Sequence, residues 1–101
     1  MSASFVSFST PAIRKCVHTN TTVGTSFTTV VTPPALPSRR ILVLIQNQSA
    51  TAVIEVVFDD TATVGIQVQP YQSISLENYN GTVRVKSTAA GTVVHTATAS
   101  V

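Results

Sequence analysis

Formal charge is what this 101-residue sequence has least of: Asp, Glu, Lys and Arg together make up 10% of it, against about 25% in typical soluble domains. The only lysines are Lys15 and Lys86. Charged residues, lysine above all, are depleted from the cores of protein–protein interfaces, so the shortage points to a surface largely covered by partners, the alternative being a monomer solvated by Thr and Ser. A net charge of +2 falls short of the basic patch or stripe that nucleic-acid binding requires. Cys16 is the single cysteine, which excludes an internal disulfide and supplies no secretory framework. The longest aliphatic run, Ile41 to Ile45, is far short of the roughly 20 residues that span a bilayer. The N-terminal MSASFVSFSTPAIRK has neither a basic n-region nor a sustained apolar h-region, so no signal peptide is expected. These features predict a soluble protein made in a cytoplasm.

Catalytic signatures are missing as well. There is no Gly-x-Ser-x-Gly elbow and no Gly-rich phosphate loop. Asp59-Asp60 is not followed by the ligand ladder of a calcium loop. Glu55 and Glu77 are the only glutamates, and so small a domain leaves little room for the cleft of a paired-carboxylate glycosidase. His18 and His95 are the only histidines. They could meet in space with Asp59 or Asp60, but the clustered spacing of a three- or four-ligand metal site is absent, and solvated or hydrogen-bonded strand histidines are the reading adopted. No enzyme activity, cofactor or metal is expected. Tryptophan is absent too, which leaves Tyr71 and Tyr79, in or beside turns, as the aromatics a sugar could stack on; the preferred reading is that both pack over strand ends while their hydroxyls stay wet.

What is present is Thr, Ser, Val and Ile, whose branched side chains suit a pleated surface better than a helix. The length fits one domain, which buries roughly 60–70% of the surface its unfolded chain exposes. Residues 1–20 have weak periodicity: Phe5, Val6 and Phe8 could form a short strand before Pro11. Thr21 to Thr32 reads as one or two strands bending at Gly24, and TPPALPS (32–38) as an extended proline-rich link. In Arg40–Asn47, Ile41, Val43 and Ile45 face one way and Leu42 and Leu44 the other, the pattern of a strand covered on both faces by the fold or by a neighbouring subunit. After an Asn47-Gln48-Ser49-Ala50 turn, Ile54, Val56 and Phe58 are assigned to the core and Glu55 to the wetter face. Val64–Val68 follows with Gly65 inside it, then Gln72–Leu76 with Ile74 and Leu76 inward. Asn80-Gly81 is the strongest short hairpin signal. Thr82–Ser87 has Val83 and Val85 in, Arg84 and Lys86 out, and Thr92–Ala99 closes the chain. About seven or eight short strands at this spacing predict an all-β, antiparallel β-sandwich or jelly roll-like fold. Residues 1–24 are taken as an N-terminal arm or extra strand and 25–101 as the compact domain.

Several of these pieces recur in order in a known group. The run Leu36-Pro37, then Arg39-Arg40, an aliphatic strand, and Gln46-Asn47-Gln48-Ser49 resembles a pattern in small virion proteins of tailed bacteriophages. A second strand ending Val56-Val57-Phe58 follows, then Gly65-Ile66-Gln67-Val68-Gln69-Pro70-Tyr71-Gln72-Ser73-Ile74, then Glu77-Asn78-Tyr79-Asn80-Gly81. The resemblance covers residues 36–86. Asp59-Asp60 stands where relatives often have Gly after the Phe, and Pro70-Tyr71 where they often have Pro-Gly, so surface contacts are what these departures affect.

The resemblance implies a non-enzymatic β-sandwich on a virion, resembling capsid decoration (cement) proteins. Such a protein is made in the host cytoplasm, sits on the capsid surface as a homotrimer over the major capsid protein, and stabilises the shell by binding the assembled form. Neither direct nucleic-acid contact, nor a membrane, nor a small-molecule ligand is expected. The candidate subunit or capsid contacts are Phe5, Phe8, Arg14, Arg39, Arg40, Tyr71 and Tyr79; for the Arg39-Arg40 pair, capping the strand or pairing with a carboxylate is the alternative structural reading. The alternative is a host-recognition or glycan-binding module of a phage head fibre or tail, working through the Tyr71 and Tyr79 turns.

Overall fold

The computed structural model describes residues 15–35 and 39–100. They form eight strands and no helix: β1 Lys15–Val23, β2 Thr28–Val31, β3 Arg40–Asn47, β4 Ile54–Val57, β5 Ile66–Val68, β6 Ser73–Glu77, β7 Val83–Ser87 and β8 Thr92–Ser100. Two antiparallel four-stranded sheets pack together as a small β-sandwich. The front sheet has the order β1-β8-β3-β6 and the back sheet β2-β7-β4-β5.

Period-2 alternation builds the core. Val43 and Ile45 from β3 and Val94 from β8 meet Ile54, Val56, Val83 and Val85 from the back sheet, all with 0% exposure. Val23, Val31 and Val68 complete the cluster, and Phe58, Ile74 and Tyr79 pack against it. The inward assignments of Ile54, Val56, Val83 and Val85 agree with the structure. Leu76 is different: it lies opposite Val43 but stays 37% exposed, because β6 is the edge strand of the front sheet.

Two expected turns prove to be crossovers. β3 lies in the front sheet and β4 in the back, so Asn47-Gln48-Ser49-Ala50 carries the chain between sheets instead of closing a hairpin. Asn80-Gly81 likewise joins β6 of the front sheet to β7 of the back. The positive φ in this segment is at Asn78 (58°), and neither Asn80 nor Gly81 has one. The type I′ geometry is overridden because Asn80 Oδ1 accepts the Arg40 N–H at 2.7 Å and the Tyr79 hydroxyl donates to Thr82 O at 2.6 Å. Among consecutive strands only β4 and β5 pair with each other.

β1 runs without a break against β8 from Lys15↔Ser100 to Val23↔Thr92. Residues 15–23 of the segment taken as an arm or extra strand are therefore part of the front sheet. Their weak periodicity has a simple cause: β1 is an edge strand exposed over most of its length, so no apolar alternation is imposed on it.

Candidate functional site

Strand register places two chemically different faces on the outside of the sandwich. On the back sheet, Arg84 and Lys86 of β7 stand beside Val57 and Glu55 of β4, and both cations sit over the Phe27 ring at 5.0 and 4.8 Å. Arg84 also donates to Asp59 O and Ala62 O at 2.9 and 2.6 Å. Glu55 accepts the Gly65 N–H at 2.7 Å. That face is charged and internally bonded.

The outer front face is almost free of formal charge. Its rows, read across β1, β8, β3 and β6, are Cys16–Ala99–Leu42–Glu77, His18–Ala97–Leu44–Ser75 and Asn20–His95–Gln46–Ser73. Glu77, on the edge strand, is the one carboxylate in these rows. Leu42 and Leu44 are half-buried, and Val93 in the next row is 37% exposed. The sequence pattern foresaw cover on both faces of β3. Val43 and Ile45 have it from the back sheet, whereas Leu42 and Leu44 lie on the outer face and are half-buried.

A polar chain crosses this face. His18 Nδ1 and His95 Nε2 are 2.9 Å apart, and His95 Nδ1 lies 2.7 Å from Asn20 Oδ1. The antiparallel register creates the contact by setting His18 opposite Ala97 and His95 opposite Asn20, so the two imidazoles are diagonal neighbours on one face. The histidines do meet, but without Asp59 or Asp60. No group of three or more His, Cys, Asp or Glu side chains among the described residues is placed to hold a metal ion.

The candidate contacts scatter. Phe5, Phe8 and Arg14 lie outside the described residues. Arg39 is exposed. Arg40 is only 3% exposed, and its guanidinium donates to Tyr79 O (2.9 Å), Thr32 O (3.2 Å) and Gly81 O (2.6 Å). It stitches three segments together and is committed to the fold, not to a partner. Burial holds its proton affinity below the ordinary guanidinium value, with Tyr79 acting weakly the other way. Tyr79 is half-buried, with its ring edge-on to Phe58 at 5.6 Å. Tyr71 stands 63% exposed in a turn with φ 63°.

A groove of about 590 Å³ opens beside the start of β1, between Lys15, Val17 and Thr98 on one wall and Val30, Pro33 and Arg40 on the other. It lies on the inner side of the front sheet, where residues 1–14 join β1. Comparison of the sequence with protein-family models and with curated proteins finds no match.

Proposed function

We propose that this protein is a structural virion component, a capsid decoration protein that docks through the outer front face and stabilises the assembled shell. The observation that carries the reading is the contrast between the two outer faces. One is nearly neutral and presents Leu42, Leu44, Ala97 and Val93; the other holds Arg84, Lys86 and Glu55. A neutral face with apolar side chains loses little on desolvation when it meets protein. The ordered resemblance of residues 36–86 to phage virion proteins supports the same class. Residues 1–14, which join the sandwich beside the Lys15–Val17–Pro33 groove, are proposed to hold three copies together as a homotrimer.

Co-sedimentation with capsid shells of the same virus tests the reading. The wild-type protein should saturate the shells, and Leu44→Glu should lower the affinity at least about tenfold, about 1.4 kcal/mol, with its unfolding midpoint nearly unchanged. Saturable binding that is indifferent to Leu44→Glu would move the contact to another face; no binding at all would remove the decoration role. The glycan-binding alternative would rest mainly on Tyr71, since the Tyr79 hydroxyl donates to Thr82 O and its ring packs edge-on to Phe58.

A further inference from the structure

The His18–His95–Asn20 chain sits on the face proposed to dock, and its capacity for protons is limited by its own geometry. A carboxamide oxygen can only accept, so the 2.7 Å contact with Asn20 Oδ1 assigns a hydrogen to His95 Nδ1. In neutral His95 the Nε2 is then a bare acceptor. The 2.9 Å contact therefore places the bridging hydrogen on His18 Nδ1. The ring centroids are 5.1 Å apart and the planes 27° from parallel. Two imidazoles joined end to end by an N–H···N bond would have centroids about 5.2 Å apart, so the rings meet nearly in line, not face over face.

The chain leaves one ring nitrogen open. A proton on His18 Nε2, which has no partner among the described residues, leaves the bridge intact because His18 Nδ1–H still donates. A second must go to His95 Nε2, whose lone pair is already in use. The bridge then becomes N–H facing H–N, and the rings part as two cations.

Among the described residues nothing nearby offsets those charges. The outward neighbours are Cys16, Asn20 and Thr22 on β1, Val93 and Ala97 on β8, and Leu44 and Gln46 on β3. The carboxylate of Glu77 lies on β6, two strands beyond β8. We propose that this histidine pair makes the front face acid-sensitive: the face docks while the rings share a hydrogen and releases its partner once both are protonated. The proposal rests on the docking reading above and adds its control.

Two measurements keep the readings separable. Shell binding is compared at about pH 7.5 and about pH 5, the interval across which histidine changes charge. The wild type should bind at least about tenfold more weakly at the acid value. The His18→Gln, His95→Gln double variant, read only as its own acid-to-neutral ratio, should change by less than about twofold. Nitrogen NMR of the imidazoles in the free protein should show the His18–His95 bridge kept through the first proton and lost with the second. A wild-type affinity that does not depend on pH, or a double variant as acid-sensitive as the wild type, overturns the switch. No wild-type binding at neutral pH overturns the docking reading instead, and an NMR titration with no inter-ring bond overturns the proton chain itself.

Discussion

Three polar side chains in the resemblance segment turn out to be structural determinants of the sandwich. Arg40 gathers carbonyls from the strand-to-strand link at Thr32 and from the Tyr79–Gly81 crossover. Asn47, with 0% exposure, donates through Nδ2 to Ala52 O (2.8 Å) and Val68 O (3.1 Å), while its Oδ1 accepts the Ser49 N–H at 2.9 Å. Ser49 Oγ then receives the N–H groups of Thr51 and Ala52 at 3.1 and 2.9 Å. The Gln-Asn-x-Ser run thus makes the corner by which the chain changes sheets. A buried polar group left without its partner costs more than the bond itself contributes. Asn47→Ala is accordingly expected to lose about 2–3 kcal/mol in urea unfolding, since it orphans two carbonyls and one N–H. Arg40→Lys should lose about 2 kcal/mol or more, because an ammonium cannot reproduce the planar fork that reaches three carbonyls.

At the scale of elements, the β6–β7 crossover shows how a local signal yields to packing. Tyr79 reaches Phe58 and Thr82 O, which holds the chain on a path between sheets that Asn80-Gly81 alone would not choose. Its phenol is pushed above the ordinary value, first by burial and then by Asp60 and Asp59, with Arg40 opposing. An unfolded tyrosine ionises near pH 10 while the folded one still holds its proton. The associated stability is therefore complete below that pH and falls as pH rises through the folded value. Tyr79→Phe should lose about 1 kcal/mol near neutrality and flatten this alkaline decline, measured as urea midpoints at about pH 7 and about pH 10.5. Gly65 sets a second local constraint just before β5. An added Cβ would collide with the Val56 carbonyl and come within 2.6 Å of Val57 Cγ1. Gly65→Ala should destabilise by about 1–3 kcal/mol, read by thermal unfolding.

Over the whole molecule, the eight strands reach their sheets by repeated crossing, and one edge of the front sheet is the exposed strand β1. If the proposed trimer forms through this segment, removal of residues 1–14, which keeps β1 whole, should leave monomers in light scattering without unfolding the sandwich. A truncation reaching residue 20 would instead strip six of the nine residues of β1 and expose β8.

Strand identity was legible along most of the chain because each strand carries its own alternation. Val83 and Val85 against Arg84 and Lys86 needed no partner to be read, and two-sided apolarity marked β3 as a strand with a second face to cover. Strand partners were not legible. Alternation is the same whether the next strand lies in the same sheet or the opposite one, so Asn47–Ala50 and Asn80-Gly81 read as hairpins. The histidine pair was equally hidden: His18 and His95 are 77 residues apart, and β1 has no periodicity to announce its register. By itself, the sequence determined an all-β sandwich, its core valines and isoleucines, and its poverty of charge, since these follow from side-chain type and a two-residue period. Tertiary structure alone decided that Glu55, Arg84 and Lys86 share the outer face of the back sheet, that Arg40 and Tyr79 turn inward, and that two imidazoles meet on the neutral front face. Those outcomes depend on which strands become neighbours, and that is settled by the packing of the two sheets.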